Sequence, residues 1–140
     1  MKNHDLHSWK QYLSKTNYKN LLHNVENAKQ NNCNKKIIIL SGSGKNGKTT
    51  LLHEIMFYLH PEKCYEYNMG EDDYYDNINK KNVIIHGGIE NINLTLLHNL
   101  LEDNVNIFCC TNYLDLVEPD ILAHSRIINM KHVFDHKLKK

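Results

Sequence analysis

The chain has 140 residues, with 17 Lys and Arg against 16 Asp and Glu, and a net charge of +1. That length fits one compact domain, and the charge argues against a protein that coats nucleic acid by bulk attraction. No apolar run reaches the ~20 residues of a membrane span, and MKNHDLHSWKQYL has no apolar signal-peptide core, so an intracellular protein without membrane attachment is expected.

In chain order, residues 4–30 read as helical. Leu6, Trp9, Leu13 and then Leu21, Leu22 and Val25 recur at three- and four-residue steps, with a break into two helices expected at Asn17–Asn20. KQNNCNK over 29–35 is a polar linker. Ile37–Leu40 is a continuous apolar run, the mark of a strand covered on both faces. A glycine-rich turn over 41–47 leads into a helix over 48–60, which Pro61 stops. Strands are expected at 64–68, at Val83–His86, at Val105–Cys110 and at Arg126–Phe134. Helices are expected at Asn93–Glu102 and Pro119–His124, with an acidic, tyrosine-rich loop over 70–82. Strand and helix in alternation predict an α/β fold with a parallel sheet of about five strands. The organisation is an N-terminal helical segment and linker (1–35), an α/β core (36–134) and a basic tail (135–140).

Gly42-Ser43-Gly44-Lys45-Asn46-Gly47-Lys48-Thr49 matches G-x-x-x-x-G-K-[ST] in full. A phosphate chain needs several backbone N–H groups pointing inward together. Glycine permits that backbone and its close approach to phosphate. The loop delivers the phosphates to a helix N-terminus, which favours negative charge. Lys48 is placed to reach the β- and γ-phosphate oxygens, Thr49 to ligate Mg²⁺ through its hydroxyl, and Thr50 to sit beside the α-phosphate. Cofactor binding thus falls to Gly42, Ser43, Gly44, Lys45, Asn46, Gly47, Lys48, Thr49 and Thr50, with ATP and Mg²⁺ as ligands.

Two further elements point to the same end of the sheet. Ile107–Cys110 is an apolar strand ending in Thr111-Asn112. Parallel strands present their C-terminal ends to a ligand, so Asn112 either orients an attacking water or belongs to a plain turn. The one arginine of the chain, Arg126, follows the helix at 119–124. It is either a surface cation or, in a ring, an arginine finger for a neighbour's ATP.

Other features read as structural. Cys33, Cys64, Cys109 and Cys110 form no C-x-x-C pair and suit free thiols in a reducing compartment. Cys109 and Cys110 point to opposite faces of their strand. The ten histidines are scattered, and His132 and His136, four apart, have no third ligand at metal spacing, so no zinc site is expected. Tyr65, Tyr67, Tyr74 and Tyr75 suit a sheet edge or small core better than a base-stacking surface.

Taken together these residues resemble an AAA+-type P-loop ATPase over about residues 36–134. TNYLDLVEPDILAHSRIINMKHVF is similar to the stretch that in AAA proteins runs from sensor 1 to the last strand, notably in the mitochondrial Rieske-protein translocase family. There Thr111-Asn112 matches sensor 1 and Arg126 a finger arginine. GSGKNGKTT, with Asn before Gly-Lys, resembles the superfamily 3 helicases of large DNA viruses, and the skew towards Asn, Lys and Ile (20, 16 and 13 residues) suits an AT-rich viral genome. The resemblance implies a P-loop NTPase three-layer sandwich, ATP hydrolysis, a homo-oligomer joined through Arg126, and residence in the cytoplasm or nucleus of a host cell.

The chain departs from that pattern at the third strand. Both families end it in acidic residues that hold Mg²⁺ through water and polarise the attacking water. Here those positions are Gly87 and Gly88, and the charge returns only at Glu90. Glu90 acting as a shifted base, a carboxylate from Glu71, Asp72 or Asp73, or ATP binding with weak hydrolysis all fit this degenerate Walker B. The catalytic set is therefore Lys48, Glu90, Asn112 and Arg126. Alternatives to an ATPase are a nucleotide-dependent scaffold of low turnover and a small nucleotide kinase, the latter disfavoured by the single arginine. Residues 91–104 hold no Lys or Arg, so a DNA-gripping basic hairpin is missing there and nucleic acid as a partner is unsupported.

Overall fold

The computed structural model describes residues 6–30, 32, 37–42, 47–69 and 81–130. Five parallel strands form one sheet: β1 (Ile37–Ser41), β2 (Cys64–Asn68), β3 (Asn82–Gly88), β4 (Asn106–Thr111) and β5 (Ser125–Asn129). Their spatial order is β2-β3-β4-β1-β5. The central strands are buried on both faces, as the continuous run Ile37–Leu40 requires.

Alternation along β1 sorts its side chains between two cores. Ile38 and Leu40 face α1 (Lys15–Lys29) and α2 (Lys48–Leu59), where they meet Leu21, Val25, Leu51, Leu52 and Ile55. Ile37 and Ile39 face α3 (Leu94–Glu102) and the short α4 (Pro119–Ala123), where they meet Leu97, Leu100 and Ile121. The result is the expected three-layer sandwich. Truncating a fully buried residue such as Leu51 to Ala would cost about 2–5 kcal/mol.

The N-terminal helix begins later than its apolar spacing indicates. A 3-10 turn at His7–Gln11 buries Trp9, and α1 starts only at Lys15. The break lies at Ser14, not at Asn17–Asn20, because the Ser14 hydroxyl accepts from the Asn17 N–H at 3.1 Å and caps the helix. Leu6, Trp9 and Leu13 join the same core as α1 and α2. Asn17 Nδ2 donates to the Asn129 carbonyl at 3.2 Å, and Lys29 Nζ stands 3.9 Å above the Tyr58 ring. The segment thus packs onto β5 and α2.

Smaller differences have local causes. Helix α2 ends at Leu59 because His60 takes a positive φ of 76°. The described part of the last strand ends at Asn129, and the expected extension over 131–134 lies outside the described residues, as do the expected loop residues 70–80 and His132 and His136. Among the described residues no helix is long and apolar enough to cross a membrane.

Strand β3 carries a distortion that matters for the site. Ile84 pairs with Phe108 but Gly88 with Cys110, so three β3 residues stand against one on β4. The irregularity lies between Ile84 and Gly88, and within it Gly87 takes φ +110°, which a side chain would strain.

Candidate nucleotide site

The C-terminal ends of β1, β3 and β4 lie side by side because β4 is inserted between β1 and β3. β1 leaves the sheet at Gly42, whose N–H donates to the Thr111 carbonyl at 3.3 Å and ties the loop's start to the end of β4. The loop re-enters at Gly47, with φ 89°, a left-handed conformation suited to glycine, and α2 begins at once with Lys48. Gly47 occupies the N-cap and brings no side chain to cap the first turn of α2. Ser43, Gly44, Lys45 and Asn46 lie outside the described residues.

Lys48 is buried at 7 % exposure, whereas Thr49 and Thr50 are exposed. Burial lowers the Lys48 pKa below the ordinary lysine value, an effect partly offset by the neighbouring Cys110. A desolvated ammonium at a helix N-terminus gains more from an anion than a hydrated one does. Cys110, half-buried at the end of β4, has its thiol pushed up chiefly by burial, with Lys48 pulling down and Glu90 pushing up. Lys48, Glu90 and Cys110 therefore share one electrostatic neighbourhood. Cys109, on the opposite face, is fully buried, its thiol pushed well up by burial and its Sγ 3.6 Å from the Ile38 carbonyl.

Glu90 sits in a 3-10 turn at Ile89–Asn91, directly after β3. Its Oε1 accepts from the Thr111 Oγ1 at 2.5 Å, and the same Thr111 oxygen accepts from the Tyr113 N–H at 2.9 Å. The carboxylate folds back over Gly88. A Cβ added to Gly88 would lie 2.6 Å from Glu90 Oε1 and 2.7 Å from Cδ. The absent side chain at 88 and the returning carboxylate thus occupy the same space. Thr111, 1 % exposed, is a member of this cluster that spacing alone did not assign, since 21 residues separate it from Glu90.

The remaining candidates lie elsewhere. Asn112 is exposed, one residue past the end of β4. Arg126 is exposed on the edge strand β5, paired in register with Ile38. Ile38 precedes Gly42 by four residues, so Arg126 starts about 13 Å below the loop along the strand. Gly42, where the described chain enters the loop, is therefore out of its reach.

No protein-family model matches the chain, and no curated protein matches it. Solved structures do. The chain is similar to the Holliday junction branch migration motor RuvB of Thermotoga maritima, with TM-score 0.61 and 18% identity over 84% of this chain and 44% of that one. A point mutant of the same protein matches with TM-score 0.69 and 18% identity, covering 91% of this chain and 50% of that one. The chain therefore has the P-loop NTPase fold and spans about half the length of these structures.

Proposed function

We propose that this chain is an ATP-binding, AAA+-type P-loop ATPase whose Glu90 stands in for the acidic pair missing from β3. The observation that carries the reading is the convergence at one end of the sheet. The left-handed Gly47 and buried Lys48 open α2 beside a carboxylate fixed to the end of β4. Lys48 binds the β- and γ-phosphates, the α2 N-terminus cradles them, and Thr49 offers its hydroxyl to Mg²⁺. The donor set fits that ion, a hydroxyl and a carboxylate being hard oxygen ligands. When bound, Mg²⁺ neutralises charge on the phosphate oxygens.

Glu90 polarises the attacking water. Its hydrogen bond from Thr111 fixes one oxygen and leaves the other to act on water. Asn112, beyond the same strand, orients that water. Arg126 acts on the ATP of a neighbouring copy, which supports a homo-oligomer, since its own loop lies out of reach. The similarity to superfamily 3 and Rieske-translocase ATPases supports a ring, a helicase-like or remodelling role and a viral source.

A second reading, a nucleotide-dependent scaffold, draws on Gly87 and Gly88 and on the Thr111 bond that holds Glu90. Steady-state ATP hydrolysis by wild type, Lys48→Ala and Glu90→Gln separates the two. The ATPase reading expects turnover that both variants lose, with binding lost only in Lys48→Ala. Wild-type turnover no faster than that of Lys48→Ala, with binding intact, favours the scaffold.

A further inference from the structure

Three metal-ligating side chains outside the nucleotide cluster come together on the α2 face of the sheet. His53 projects from α2, Glu66 from β2 and His86 from β3. One ligand atom from each lies within 4.8 Å of the others. His86 Nε2 and Glu66 Oε1 are 2.9 Å apart, and the His53 and His86 rings meet edge-on with centroids at 5.4 Å. The fold explains the meeting. Glu66 pairs in register with Ile84, which faces the α1/α2 core, and His86 follows Ile84 by two residues on the same strand. The pairing of β3 with β2 stays regular through His86, and the irregularity towards β4 lies between Ile84 and Gly88.

We propose that His53, Glu66 and His86 form a Zn²⁺ site that staples the β2 edge and the bulged end of β3 to α2. Two imidazole nitrogens and one carboxylate are a borderline donor set, which suits Zn²⁺ and disfavours Mg²⁺. Tetrahedral Zn²⁺ with bonds of about 2.0–2.1 Å spaces its ligand atoms roughly 3.3 Å apart. The His86–Glu66 pair is already near that spacing. Closing the longest gap needs a shift of at most about 1.5 Å, which an exposed histidine makes by a change of side-chain torsion. Water completes the coordination shell from the solvent side. The site is independent of nucleotide and needs no part of the phosphate loop.

The test is titration of the metal-stripped protein with Zn²⁺ and, separately, Mg²⁺, read by calorimetry and by thermal unfolding. Co²⁺ serves as a visible probe. The proposal expects one Zn²⁺ per chain, a rise in melting temperature of roughly 8 °C at a hundredfold excess over Kd, no response to Mg²⁺, and the intense visible bands of tetrahedral Co²⁺. His53→Ala and Glu66→Ala, both at exposed positions, each weaken Zn²⁺ by at least about tenfold and abolish the Co²⁺ bands. His98→Ala, on α3 across the sheet, leaves both unchanged. Zn²⁺ binding that is absent, or equal in wild type and His53→Ala, would overturn the proposal and leave His86–Glu66 as a surface hydrogen bond.

Discussion

The hydroxyl of Thr111 donates to the Glu90 carboxylate at 2.5 Å, and that carboxylate lies over Gly88. The end of β4 thereby positions a carboxylate where β3 itself supplies none. Glu90→Gln keeps the shape and removes the charge. It should leave Mg·ATP affinity intact and lower turnover at least tenfold, about 1.4 kcal/mol in the barrier. Equal turnover in wild type and variant, measured by phosphate release, would remove Glu90 from the chemistry.

The two neighbouring glycines separate fold from function. At Gly88 an added methyl first meets the carboxylate end of the Glu90 side chain, whereas at Gly87 it meets φ +110° and Met69 Cβ at 3.0 Å. Gly88→Ala should therefore unfold near the wild-type temperature yet lose turnover, because Glu90 is pushed off Thr111. Gly87→Ala should cost about 1–3 kcal/mol of stability. Chemical denaturation of both variants beside their turnover checks the pair.

Lys48 gives a pH dependence of defined sign. Its native pKa lies below the ordinary 10.5, so the folded protein binds this proton less well than the unfolded chain does. The penalty is complete below the native value and fades as pH rises towards 10.5. Lys48→Met carries no such penalty. Whatever constant offset the substitution brings, the stability difference between the two should move in favour of wild type as pH rises through that window. Denaturation at a series of alkaline pH values in the absence of nucleotide reads it directly, and a flat difference would contradict it.

The Arg126 backbone lies about 13 Å below Gly42 along the strand, so the proposed finger role requires a neighbouring copy. Specific activity should rise with protein concentration. Arg126→Ala should lose about a thousandfold, the lower range for an arginine finger. Mixing Arg126→Ala, which keeps its loop, with Lys48→Ala, which keeps its arginine, should restore part of the activity. No recovery on mixing would confine Arg126 to the surface.

Much of the fold was legible in the sequence, for reasons that differ by element. The run Ile37–Leu40 reads as a doubly covered strand because nothing polar interrupts it, and Gly47-Lys48-Thr49 reads as phosphate chemistry because few other uses need those residues together. The start of α1 did not read correctly. Apolar spacing runs on through Leu13, and one hydroxyl, that of Ser14, sets the boundary. The link from Glu90 to Thr111 and the group of His53, Glu66 and His86 join residues from separate elements. Their proximity follows from the strand order and the bulge in β3, which leave no periodic trace.

Calorimetric titration of wild type and Lys48→Ala with Mg·ATP reads nucleotide binding at this loop without intermediaries. One saturable site per chain is expected in the wild type and none in the variant, with both proteins folded by circular dichroism. Failure of the folded wild type to saturate at millimolar nucleotide, or equal binding by the two proteins, would contradict it.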